Sequence, residues 1–577
     1  MQIQPALAAF RNPPTNRTKV LRAPLALGLA TLTLASCGGG AGSVSPPLPP
    51  DTVFGVPNGN LESAGSEDFR LEYDVHGYHF FWSATPQATR YELYEDPDGP
   101  GPLPEAQMGE PVTGTHQFYE LADLHKRINA SYRLRACNGD SCTFKAATIT
   151  PDPAKAHFFF KAGGNTAWGP FDVTGYKARI SADLKTLVIG IPHAPRSRPA
   201  TEESAVYVFS RNGTNEAWQQ QARLQASNHR APACNNEAQD YCLSSSFGGQ
   251  LALSADGNTL AVSATGETSN ARGVNGNQAN SESLAAGAVY VFTRENGAWS
   301  QQAYVKASNT PVQNSAWCNP TYFITQPCNG HYFGTSIALS ADGNQLAVSA
   351  QGDSSNSIGI NADQSAASAS NSGAVYTYVR KGSTWAPQAY LKASNTDAGD
   401  SFGNFLALSG DGSTLAVSAI FEGSNAEGIN GNQQDNSEPS SGAVYVFSQS
   451  AGAWSQQAYV KATPKTVGTA PNDYGHYFGQ RTALSHDGNT LAVGRFGGGS
   501  PGAVHVFTRT NNAWHSQARM QAKVTNSDSD IRNGSFDQAL SLSADGNTLA
   551  TRSNDLSKSY QSSALYFFSR SNGTWSQ

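Results

Sequence analysis

Between Phe247 and Asp545 a Phe stands nine residues ahead of an Asp five times: Phe247/Asp256, Phe333/Asp342, Phe402/Asp411, Phe478/Asp487 and Phe536/Asp545. A spacing kept that strictly demands one local structure built repeatedly, and such a unit buries its faces only against copies of itself. A degenerate first copy holds Thr174 and Asp183 in these places. Six Trp residues, Trp218, Trp299, Trp385, Trp454, Trp514 and Trp575, close six copies. Within a copy, Asp-Gly-Asn or Asp-Gly-Ser between two apolar runs marks a tight hairpin, because Gly supplies the positive φ the turn needs.

Leu260–Val262 and Ala288–Phe292 are nearly continuous apolar runs, the pattern of strands covered on both faces. Each copy offers four strands, for instance Ala303–Lys306, Ile337–Ser340, Leu346–Ser349 and Ala374–Tyr378. Four-stranded units stacked radially predict an all-β chain with a β-propeller of six repeats over residues 155–577. Lys306, Lys392 and Lys461 each lie seven residues past a Trp, in a further strand, whereas only Ser576 and Gln577 follow Trp575. Phe158-Phe159-Phe160-Lys161-Ala162 matches Ala303–Ala307, so the first strand is expected to complete the last sheet and remove two exposed edges. Charged residues make up 14% of the chain, against roughly 25% in an ordinary soluble domain. That excludes a charge-driven nucleic-acid binder and a charged coiled coil. The net charge of −6 is mild and speaks for solubility rather than a partner.

Residues 1–36 carry Arg11, Arg17, Lys19 and Arg22, no acidic residue, and then the apolar run Ala23–Leu34, too short for a stable span. Leu34-Ala35-Ser36-Cys37 followed by Gly38 resembles the lipobox of bacterial lipoproteins. The resemblance implies an exported chain whose first mature residue, Cys37, carries the lipid and anchors it to the outer membrane, on the periplasmic or the cell-surface side. Residues 37–52 read as a Gly/Ser/Pro linker. Without residues 1–36 the net charge falls from −6 to −10. The six other Cys form three close pairs, Cys137/Cys142, Cys234/Cys242 and Cys318/Cys328; local disulfides are expected, though six Cys allow 15 connectivities. No pair shows zinc-site spacing.

Residues 53–151 alternate in short aromatic runs such as Tyr78–Trp82 and Thr89–Tyr94, split by the turn-rich Asp96–Pro100. About 100 residues of this pattern, with an early Trp and Ala136-Cys137-Asn138 near its end, resemble a fibronectin type III β-sandwich.

The Phe-Gly, Gly-Ala-Val and Trp elements of the later copies resemble bacterial FG-GAP repeat proteins, relatives of the integrin α-chain propeller. That family's seven blades leave seven open beside the six copies found here. Its calcium hairpin, Asp-x-Asp/Asn-x-Asp-Gly, is not kept: the stretch before Asp256-Gly257 has Ala252 and Ser254 at ligand positions. No cofactor is expected, calcium being retained as an option only for the long loops of copies two to four. Candidate ligand or cation contacts there are Glu267, Asn270 and Asn275, then Asp353, Asn356, Asn361 and Asp363, then Glu422, Asn425, Asn430 and Asp435. Asx turns packing the loops on themselves are the plainer reading. No H-E-x-x-H and no P-loop occurs, and His residues are scattered over different copies, so no catalytic residue is assigned and the chain is expected not to be an enzyme. The expected function is a lipid-anchored envelope protein whose propeller binds a protein or glycan; the alternatives are a propeller enzyme acting on polysaccharide and a purely structural envelope component.

Overall fold

The computed structural model describes residues 63–66, 68–73, 77–99, 101, 103–120, 127, 129–151, 177–192, 204–213, 216, 218–228, 245–311, 330–463, 476–496, 502–521, 539–555 and 562–577. Contacts divide the chain into Met1–Asn60, which lies outside the described residues, and Leu61–Gln577. The expected signal peptide, Cys37, the linker, the strand at 158–162 and Cys234, Cys242, Cys318 and Cys328 also lie outside them. Among the described residues all regular structure is β, and no helix is long and apolar enough to cross a membrane.

Residues 63–149 build two four-stranded sheets. One holds Ser63–Ser66, Phe69–Tyr73, Gly77–Trp82 and His116–Glu120; the other holds Ala106–Val112, Arg90–Asp96, Ser131–Asn138 and Ser141–Ile149. The alternation seen in the sequence sets their inner faces: Phe69, Leu71, Phe80 and Trp82 from one sheet meet Tyr91, Leu93, Tyr132 and Leu134 from the other in one cluster. Cys137 and Cys142 are disulfide-bonded across the hairpin between the last two strands.

Among the described residues from Lys177 onward, six four-stranded antiparallel meanders follow in chain order. In copy three the strands are Phe333–Leu339, Gln345–Ala350, Ala374–Lys381 and Thr384–Leu391. First strands of consecutive sheets touch, and five apolar clusters each draw on two neighbouring sheets, so these cores lie between sheets; a smaller cluster of Leu187, Ile189, Phe209 and Trp218 stays within copy one. Successive meanders packed face to face in this way are β-propeller blades.

The grouping of strands differs from the sequence expectation. Ala298–Val305 pairs with Ala288–Glu295 of its own copy and is the fourth strand of copy two, not the first of copy three. The cause is the turn Asn296-Gly297, both at positive φ (50° and 81°), which folds the chain straight back and puts Trp299 inside the fourth strand, opposite Arg294. In copy six the fourth strand spans Thr574–Ser576, three residues against eight in copies two to five.

The two Gly motifs interlock between sheets. Gly373 (φ 80°) lies against the backbone of the next copy's Phe402, where a Cβ would come 2.1 Å from the Phe402 carbonyl oxygen. The Gly after Phe402 is constrained too: a Cβ on Gly403 would lie 2.8 Å from that of Ser349. The fixed Phe itself is buried edge-to-face on the aromatic of strand three, Phe333 on Tyr376 and Phe402 on Tyr445, with centroids 5.5 and 5.3 Å apart.

Candidate binding face

Each repeat Asp is consumed by its own turn. Asp342 Oδ1 accepts hydrogen bonds from Ser340 Oγ at 2.5 Å and from the Asn344 backbone N–H at 3.0 Å, while Oδ2 accepts from Asn344 Nδ2 at 2.9 Å. The same set recurs at Asp256, Asp487 and Asp545, with Ser413 replacing Asn at Asp411. Despite the cost of partial burial, these hydrogen bonds hold the Asp342 carboxyl below the usual carboxylate range.

The opposite end of each sheet, where strand one begins and strand two ends, carries the long loops of copies two to four. One acid of each loop, Glu267, Asp353 or Glu422, is buried, not displayed. Lys306 Nζ donates to Glu267 Oε2 at 2.7 Å and Lys461 Nζ to Glu422 Oε2 at 2.8 Å. Lys392 Nζ lies 3.4 Å from Asp353 Oδ1 and donates to Ser372 Oγ and the Gly373 carbonyl. In every case the partners stand 39 residues apart. An Asn from the copy before completes each site, Asn228, Asn309 and Asn395 donating to Glu267, Asp353 and Glu422. Burial lowers Lys392 while Asp353 opposes the shift; for Asp353 burial is outweighed by Lys392 and His331, and the carboxyl lies below its usual range.

Asn275, Asn361 and Asn430 pin the loops to the fourth strands. Each takes a positive φ, accepts through Oδ1 from the N–H of Tyr304, Tyr390 or Tyr459, and donates its own N–H back to that residue's carbonyl at 2.7 Å. Asn270 pairs with Asn280 and Glu282, the Asn356 N–H bonds the Ala366 carbonyl, and Asp363 and Asp435 accept from the N–H two residues on. Asn356, Asp363 and Asn425 are exposed. The structure thus gathers Glu267, Asp353 and Glu422 into ion pairs beneath the loops and leaves the Asn residues on or near the surface. The sequence reading missed the lysines, although the constant separation of 39 residues was there to find.

Copy five has none of this apparatus. His505 stands where copies two to four have Tyr, Gln521 where they have Lys, and Arg495 where they have Ala. His505 is fully buried, and burial together with Arg519 and Arg495 pushes its pKa down to about 3. Ser424, Ser441, Lys461, His476 and Arg495 line a cavity of about 20 Å³ at this boundary, room for one water.

A model of the FG-GAP repeat matches residues 385–447, from Trp385 to the third strand of copy four. No curated protein matches the chain. Among solved structures it resembles a periplasmic gluconolactonase from Pseudomonas aeruginosa, 13% identical, covering 85% of this chain and 94% of that one at a TM-score of 0.37. It also resembles an oligogalacturonate lyase from Vibrio parahaemolyticus, 9% identical over 87% and 97% with a TM-score of 0.34. The third is the β-propeller domain of the Trilobed protease from Pyrococcus furiosus, 10% identical over 80% and 90% with a TM-score of 0.33.

The expectation that the chain is not an enzyme is corrected by these findings, since a lactonase and a lyase stand among its structural likenesses. At such low identity and TM-score they transfer no activity. The nucleophile-type pattern G-x-S-x-G occurs twice, at Gly399–Gly403 and at Gly498–Gly502. Gly399–Gly403 falls between the strands Thr384–Leu391 and Leu406–Leu408 and Gly498–Gly502 between Thr490–Arg495 and Ala503–Thr510, neither between a strand and a helix as a nucleophile elbow requires, and residues 497–501 lie outside the described residues.

Proposed function

We propose that this chain is an exported, lipid-anchored envelope protein whose six-bladed propeller is a binding module for a protein or glycan. In this reading the Gly/Ser/Pro linker and a fibronectin type III-like sandwich hold the propeller off the membrane. The observation that carries it is the construction of the loops in copies two to four. Loops of about 20 residues are uncommon in compact domains and are functional more often than not. Here each is fixed from below by a buried ion pair and at its middle by an Asn–Tyr backbone pairing, so its exposed Asn, Ser and Asp side chains stand on a rigid base. Preorganised polar surface of this kind lowers the ordering cost of binding. The match of residues 385–447 to the FG-GAP repeat supports the same reading.

The test is a pull-down from envelope extracts using the chain from Cys37 onward, beside a variant with all three loops cut to short turns. Recovery of the same ligand by both proteins rejects the loops as the binding surface. Anchoring is tested separately: Cys37→Ala should abolish incorporation of labelled palmitate and release the protein from membranes.

A further inference from the structure

We propose that Phe421, Tyr477 and Phe496, with Asp397 and Asn436, form a subsite for a neutral sugar. This rests on the binding-module reading above and names its ligand class.

The three rings form a chain across the boundary between copies four and five. Phe421 and Tyr477 meet at 88° with centroids 5.7 Å apart, and Tyr477 and Phe496 at 56° and 6.0 Å. Phe421 is 39% exposed. Copies two and three have Gly266 and Gly352 at its position, so the fold itself asks for no ring there. Tyr477 holds φ at 43°, a conformation that costs a residue with a side chain roughly 1–2 kcal/mol. The equivalent residues are Ser246, Tyr332 and Ser401, all at positive φ, so a small polar side chain also meets the backbone requirement.

Polar groups lie on the loop segments bonded to Phe421. The Phe421 N–H donates to the Asp400 carbonyl at 3.4 Å, and the Asp397 N–H donates to Asp400 Oδ2 at 3.1 Å. Exposed Asp397 accepts at 2.8 Å from Nδ2 of exposed Asn436, whose atoms pass 3.7 Å from the Cβ direction of Gly423, two residues beyond Phe421. A partly exposed aromatic face takes the C–H surface of a pyranose, and a carboxylate beside an amide supplies the acceptors and donors that neighbouring hydroxyls need. Asp397 opposes an anionic ligand, which selects neutral sugars over uronates and acidic lipid headgroups.

The experiment is affinity electrophoresis and calorimetry of the whole chain with soluble β-glucan and galactomannan, polygalacturonate serving as the anionic comparison. The variants are Phe421→Gly and Tyr477→Ser, which install residues that other copies carry there, with Phe118→Ala in the N-terminal sheets as control. Retardation by a neutral polysaccharide, weakened at least tenfold by both substitutions but unchanged in the control and at unaltered melting temperature, supports the subsite. Absence of retardation by either neutral polymer, or equal retardation of Phe421→Gly, overturns it. Should the envelope pull-down recover a ligand while neither neutral polymer is retarded, the binding module stands and the sugar subsite falls.

Discussion

Trp385 Nε1 donates a 2.9 Å hydrogen bond to Gln302 Oε1 across the boundary between the second and third sheets. Gln302 is the extra residue of a β-bulge: Val291 pairs with Ala303 and Phe292 with Gln301, leaving Gln302 turned toward the next sheet. Arg380 lies over the Trp385 ring, donates to Asn344 Oδ1 and reaches the same Gln302 oxygen. Gln221, Gln388, Gln457 and Gln517 bind Trp299, Trp454, Trp514 and Trp575 in the same way. Gln302→Ala should therefore leave the buried Trp385 Nε1–H and the half-buried Arg380 guanidinium without this acceptor and cost about 1–3 kcal/mol. Urea denaturation checks the value, and a cycle with Trp385→Phe should show strong coupling.

Trp218, the Trp of copy one, is buried, and its Nε1 finds no hydrogen-bond partner among the described residues. Aligning Phe158–Ala162 with Ala303–Ala307 puts His157 at the Gln302 position. If that segment completes the last sheet, deleting residues 155–163 removes a strand and the Trp218 acceptor together. The melting transition should then drop by many degrees or lose its cooperativity; an unchanged transition rejects closure through this segment.

Lys392 and Asp353 are both fully buried. Lys392→Met alone strands the carboxylate and should cost about 3–5 kcal/mol, whereas Lys392→Met with Asp353→Leu removes both charges and should recover most of it. Equal stabilities of single and double variants would show that the pair is not coupled.

Two buried groups bend the pH dependence in opposite senses. Burial, reinforced by Glu422 and Asp397 and opposed by Lys392 and the Asp397 N–H, raises Asp400 to about 7. The folded state then holds a proton that the unfolded chain releases, so stability falls as pH rises from about 4 to about 7. His505, at about 3, refuses a proton that the unfolded chain takes up near pH 6.5, so stability is lost as pH falls from there toward 3. Asp400→Asn should raise stability at pH 7.5 by a few kcal/mol and leave a protein that weakens more steeply on acidification. Chemical denaturation at pH 5.0 and 7.5 measures both effects.

The repeat, its hairpins and its aromatic core positions were legible because they are short-range. Nine residues from Phe to Asp span one strand and one turn, and Asp-Gly fixes that turn wherever the chain lies. The shared core of residues 63–149 was legible for a similar reason, since alternation along a strand sorts its two faces. Glu267, Asp353 and Glu422 read as displayed acids because their lysines stand 39 residues away, beyond any local pattern. The bulged Gln residues, the Gly373–Phe402 approach and the Phe421–Tyr477 contact depend on how one sheet seats against the next. Spacing along the chain determined the strands and turns; only the stacking of the sheets, which joins residues far apart in sequence and removes them from water, decided which polar groups are buried in pairs and which stay exposed.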